Sequence, residues 1–104
     1  MIKIIDGKRY NTETAEFVGE WSNHYGVSDF QYCEETLYRT KKGAWFIAGE
    51  GGPMSKYSMP CGNNCWSGGS DIRALADAEA KAWLEAKGLF DELEEHFGSE
   101  LEDA

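Results

Sequence analysis

The sequence predicts an α+β fold: a three- or four-stranded antiparallel sheet with one or two C-terminal helices laid on one face. Three observations carry this. Residues 30–40 alternate, with Phe30, Tyr32, Thr36 and Tyr38 on one side and Cys33, Leu37 and Arg39 on the other. Residues 44–48, AWFIA, are apolar on both sides, as in a central strand that is covered twice. Between them, Lys41-Lys42-Gly43 places a glycine where a hairpin needs positive φ.

At the N-terminus, residues 2–5, IKII, read as a first short strand, Asp6-Gly7 begins a turn, and Lys8-Arg9-Tyr10 leads back out. Residues 12–18 admit either a short helix capped by Asn11 or Thr12, or a strand through Ala15 and Phe17. The capping residues favour the helix. Residues 19–29 read as a loop with Trp21 and Tyr25 as packing anchors.

Glu50-Gly51-Gly52-Pro53 should end the central strand. The segment from there to residue 70 is rich in glycine and carries both prolines and two cysteines. It reads as long and irregular, held by Tyr57 and Trp66, and such segments are often functional or mobile.

Residues 72–75 add a short strand. Asp77 is the expected N-cap of a helix whose apolar face is Ala78, Ala82, Trp83 and Ala86, with Gly88 as its stop. A second helix begins near Leu89. Leu89, Phe90, Leu93, Phe97 and Leu101 share its apolar side, and Gly98 breaks or frays it.

A chain of 104 residues supports one hydrophobic core, and its four Trp, five Tyr and five Phe offset a hydrophobic share of 41%. Residues 1–98 therefore read as a single domain, and residues 99–104 as an acidic tail whose order is left open. No apolar run is long enough to span a bilayer, and the first residues are too short for a signal peptide. The expected location is cytoplasmic. There, with three Cys, a disulfide framework is not expected.

The formal net charge of −9 is concentrated at one end: residues 88–104 contain seven acids and no Lys or Arg. Nucleic acid and anionic membrane should both repel such a chain, so the expected partner is a basic protein surface.

Candidate chemistry is sparse. Cys61 and Cys65 are spaced C-x3-C, without the second ligand pair that a zinc site requires, so they read as loop thiols. His24 has no nucleophile signature near it, and His96 reads as the surface ion partner of Glu92. Glu34 and Glu35 are neighbours on a strand and point to opposite faces, so they cannot form one acid/base site. Gly49 to Gly52 lacks a phosphate-loop pattern. No cofactor, metal or enzymatic activity is expected.

The acidic helix remains. Asp91, Glu92, Glu94 and Glu95 are expected to be exposed, with Glu34, Glu35 and Glu50 as secondary contributors if they share that side. Carboxylates four residues apart on a helix have Cβ atoms about 5–6 Å apart. Such a row can enter a groove whose Lys and Arg serve DNA phosphates. A different reading places the interaction in the aromatic, glycine-rich segment 50–67, with the charge serving solubility. The sequence leaves the oligomeric state open.

The string ETLYRTKKGAWFIAGEGGPMSKY at 35–57, with DGKRYNTETAE at 6–16 before it and an AWLE helix after it, resembles a family of small bacterial proteins of unassigned function. Phages and other mobile elements carry that family, and the resemblance covers most of residues 2–87. It implies a host-takeover or anti-defence role, of which anti-CRISPR inhibitors that mimic DNA are one kind. The resemblance supplies no catalytic motif, and the acidic stretch after Gly88 lies outside it.

Overall fold

The computed structural model describes residues 1–26 and 28–104. Val27, inside the loop expected over 19–29, lies outside the described residues. Strands β1 (Ile2–Ile5) and β2 (Lys8–Asn11) form a hairpin, turned by Asp6 and Gly7 at φ 50° and 76°. Two successive positive φ values suit the right-handed twist of the flanking strands.

The next strands build a four-stranded antiparallel sheet, in the order β3 (Glu16–Ser22), β4 (Cys33–Arg39), β5 (Trp45–Gly51) and β8 (Gly69–Leu75). Between β5 and β8, strands β6 (Met59–Gly62) and β7 (Cys65–Ser67) form a separate small hairpin. Helices α1 (Asp77–Ala86) and α2 (Phe90–Phe97) close the described fold, with a 3-10 turn at Gly98–Glu100 after them. Residues 101–104 are exposed and carry no regular structure.

β5 is the doubly covered strand that its composition requires. Trp45 and Ile47 point toward the helices, where Val18, Leu37, Ala80, Trp83, Leu84, Leu93 and Phe97 complete one core. Phe46 points the other way, into a second cluster with Tyr10 and Ile72. The β1–β2 hairpin covers that face, and its Tyr10 ring meets Phe46 edge-on at 5.5 Å. Lys3 adds an ion pair to Asp71 of β8 at 2.6 Å. The β4–β5 turn is as expected: Gly43 has φ 88°, and Thr40 and Ala44 close the loop, Thr40 N donating to Ala44 O at 2.8 Å.

Residues 12–18 do not form the expected helix. Asn11 instead makes a local turn, its side-chain oxygen accepting from Glu13 N at 2.9 Å and its carbonyl from Ala15 N at 3.1 Å. The chain then pairs with β4 from Glu16 onward. A cap can start a turn without a helix when sheet pairing offers the next backbone groups a better set of partners. A bulge between Phe17 and Gly19 turns Val18 into the core. Trp21 packs against the core as expected, whereas Tyr25 is exposed.

Helix α1 begins at Asp77 with Ala76 as its N-cap, and Glu79 accepts the Ala76 N–H at 2.9 Å. Its buried face is Ala80, Trp83 and Leu84; Ala78, Ala82 and Ala86 are exposed. Alanine is apolar but small, so the large Trp83 and Leu84 side chains decide which face is buried. Gly88, at φ 71°, ends the helix as its position implied. In α2, Leu93 and Phe97 are buried and Leu89 packs beside them, but Phe90 is 61% exposed and Leu101 also reaches solvent. Among the described residues, no helix is long and apolar enough to cross a membrane.

Leu84 is fully buried between the helices and the sheet. Leu84→Ala should therefore lower the unfolding free energy in urea by about 2–5 kcal/mol. Phe90→Ala on the exposed side should stay within about 0.5 kcal/mol of wild type. Equal losses would mean that the helical face has been assigned wrongly.

Candidate functional site

The acidic helix is held in one orientation. Phe97 stacks on Trp45 with ring centroids 5.4 Å apart, and the His96 ring meets Trp45 edge-on at 5.2 Å. At the other end of α2, Gly19 lies against Leu89 and Glu92. With Leu93 and Phe97 turned inward, Asp91, Glu94 and Glu95 are exposed, whereas Glu92 is half-buried. Asp91 and Glu92 lie in the first turn, where the helix dipole favours negative charge. His96 approaches Glu95, at 3.9 Å, rather than the expected Glu92, and its ring packs on Trp45 instead of lying free on the surface.

The secondary acids do not join this surface. Glu34 and Glu50 are direct cross-strand partners on the sheet face away from the helices. Like charges placed opposite each other repel, and the Tyr32 hydroxyl relieves this. It lies 2.8 Å from Glu34 Oε2 and 3.1 Å from Glu50 Oε1, and its single proton can go to either. Burial, together with these two bonds, raises the Tyr32 pKa well above the ordinary phenol value.

Glu35 faces the helices and is fully buried at 0% exposure, so it cannot contribute to an exposed acidic surface. Its oxygens are nevertheless well supplied. Oε2 accepts from the Tyr57 hydroxyl at 2.5 Å and pairs with Lys56 Nζ at 2.8 Å. Oε1 accepts from Trp83 Nε1 at 3.2 Å and lies 3.8 Å from Lys87 Nζ. Lys87 also sits 3.6 Å above the Trp21 ring, a cation–π contact. Burial by itself would raise the Glu35 pKa, but bonds from Lys56, Tyr57 and Trp83 outweigh it and hold the carboxyl below its ordinary value. Nearby Cys33, a buried free thiol, is pushed up by burial and by the Glu35 charge.

This network explains why residue 49 is glycine. Gly49 is the cross-strand partner of Glu35, and a Cβ there would fall 2.0 Å from the Tyr57 ring. Tyr57 thus crosses β5 over a bare backbone to reach Glu35. From that anchor the chain enters the β6–β7 hairpin, all of whose residues are exposed.

Cys61 and Cys65 are joined by a disulfide across the hairpin end, with Cα atoms 5.2 Å apart, which corrects the reading of both as loop thiols. The hairpin register brings Cys65 opposite Gly62, next to Cys61, an approach that linear C-x3-C spacing does not reveal. Trp66, expected as a packing anchor, is instead 58% exposed, as are Met54, Met59 and Phe30 to a similar degree.

Two surfaces therefore stand out: the acidic side of α2, and the exposed aromatic and methionine side chains of the hairpin region. The fold is that of a small α+β domain. No protein-family model, curated protein or solved structure matches the chain.

Removing the Glu35 charge should expose the role of the network. The lowered pKa in the folded state means that Glu35 contributes stability which is fully present above the ordinary carboxylate pKa. That contribution is lost as pH falls through the lower, folded value. Glu35→Gln should destabilise the neutral protein by about 3 kcal/mol, the low end for a broken buried pair because Lys56 can turn to water. Its unfolding free energy should also vary less than wild type between neutral and acidic pH, measured by urea titration at each pH. Parallel pH profiles would contradict the assignment.

Proposed function

We propose that this chain is a non-enzymatic protein from a bacterial phage or mobile element that occupies a basic, nucleic-acid-binding site on a host defence complex. It acts as an inhibitor of the anti-CRISPR type, blocking access of DNA; a cytoplasmic site of action requires that the Cys61–Cys65 pair be reduced there or dispensable. The observation that carries this reading is the fixed outward placement of Asp91, Glu94 and Glu95 on α2, in a stretch with no Lys or Arg. An ordinary soluble surface intersperses both signs; this one does not. Because Leu93 and Phe97 hold the helix, the carboxylates need little ordering on binding, which reduces the entropy lost on contact. Glu92, half-buried, supplies field rather than direct contact. Glu34 and Glu50, on the far face, and Glu35, in the interior, take no part.

A second reading has its own observation. Trp66, Met54, Met59 and Phe30 are exposed around one segment, and aromatic residues are enriched among the side chains that dominate protein–protein affinity. In this reading the hairpin region makes the contact as an adaptor surface.

One experiment separates the two. Wild type, a variant with Asp91→Asn, Glu92→Gln, Glu94→Gln and Glu95→Gln, and Trp66→Ala are each used to retain proteins from bacterial lysate across a salt series. The first reading expects a nucleic-acid-binding protein retained by wild type and Trp66→Ala, and released by moderate salt. The charge-neutralised variant should bind it roughly tenfold or more weakly, since exposed ion pairs contribute about 0.2–1 kcal/mol each. Retention lost only in Trp66→Ala would favour the hairpin and overturn the acidic-helix reading.

A further inference from the structure

Basic side chains gather at the β4–β5 turn end of the sheet face away from the helices, whereas Glu34 and Glu50 lie toward the other end of that face. On the face away from the helices, a groove of about 710 Å³ runs between the β1–β2 hairpin and the β4–β5 turn. Four cations line it, Lys8, Arg9, Lys41 and Lys42, and no Asp or Glu does. All four are exposed, and among the described residues none is in an ion pair. Four of the chain's ten basic residues thus converge on one place in a protein of net charge −9. Between the cations the groove wall is apolar, formed by Ile4, Tyr10 and Ala44.

Such a groove suits a ligand with several carboxylates and an apolar group between them. A long polyanion meets this local attraction but is opposed by the field of the whole chain. A ligand with the right chemistry already exists on α2. Phe90 is 61% exposed, and exposed Asp91 and Glu94 flank it one and four residues on. On a helix, residues four apart lie side by side, so Phe90 and Glu94 are neighbours on the outer surface.

We propose that the basic groove of one copy receives the acidic outer face of α2, centred on Phe90, from a second copy. The contact cannot be made within one chain, because Leu93 and Phe97 fix α2 on the opposite face of the sheet from the groove. It is therefore heterologous: the surfaces differ, each copy has one of each, and head-to-tail addition need not close. A basic partner of the kind proposed for α2 would compete for the same helix face but not for the groove.

Sedimentation velocity over a protein concentration series tests this. At about 50 mM salt the wild type should show a sedimentation coefficient that rises with concentration, and at about 500 mM the rise should vanish as screening shortens the reach of charge. A groove variant, Lys41→Glu with Lys42→Glu, and a helix variant, Glu94→Lys with Glu95→Lys, should each stay monomeric. An equimolar mixture of the two should associate again, because the native helix of the first meets the native groove of the second. That recovery also shows both variants to be folded.

A wild type that is monomeric at every concentration, or association that persists in either variant, would overturn the proposal. So would a labelled single-stranded oligonucleotide that binds monomeric wild type and not the groove variant, which would make the groove a nucleic-acid site. The groove variant keeps every carboxylate of α2, so it should still retain the basic partner. Failure of self-association is thereby distinguished from failure of the functional reading.

Discussion

Taking a carboxylate out of water costs several kilocalories per mole unless its lone pairs and charge are both met. Glu35, with no exposed surface, imposes that requirement at the centre of this domain. Its partners come from two separate regions: Trp83 and Lys87 from helix α1 and the turn that ends it, and Lys56 with Tyr57 from the segment after β5. Satisfying one side chain therefore fixes where α1 crosses the sheet and where the glycine-rich segment returns to it. Gly49 is drawn into the same requirement, since any side chain there would displace the Tyr57 ring. An apolar residue at 35 could fill the space, but it would give the segment no reason to close at that point.

The two sheet faces are covered by elements of opposite character. The helical layer is apolar beneath and acidic outside; the β1–β2 layer meets the sheet through Tyr10 and leaves its cations around a groove. This arrangement gives one small domain a negative side and a positive pocket. It also explains why the bare net charge is a poor guide to what the surface can hold. Long-range approach is governed by the total, but contact is governed by four cations in one place and three exposed carboxylates on one helix.

Turn chemistry was the most legible part of the sequence. Asp6-Gly7, Gly43 and Gly88 occupy positions whose φ values few other residues accept, and each does what its identity implies. The central strand was legible because AWFIA has no polar side to expose. Residues 12–18 were not, because a cap at Asn11 signals a local turn whether a helix or a strand comes after it; pairing with β4 decided for the strand. On α1, Trp83 was placed correctly on the buried face, but Ala78, Ala82 and Ala86 were not, because alanine marks buried and exposed helix positions equally well. Alternation correctly put Glu34 and Glu35 on opposite faces. It could not say that Glu35 would be buried, since its compensation by Lys56, Tyr57, Trp83 and Lys87 comes from residues distant in the chain, Trp83 being 48 positions away. A lysine-tyrosine pair placed after a glycine-rich turn was the only local trace of it.

The central claim is that Glu35 organises the segment between β5 and β8, and hydrogen exchange on Tyr57→Phe tests it most directly. That change removes one hydroxyl and leaves the ring over Gly49 in place. A hydrogen bond to a charged group contributes about 1.5–3 kcal/mol. Amides of the β6–β7 hairpin and the residues leading into it should then exchange roughly tenfold faster or more, while those of β4 and β5 keep their protection. Exchange that rises equally throughout the sheet, or that does not change in the hairpin, would contradict the account.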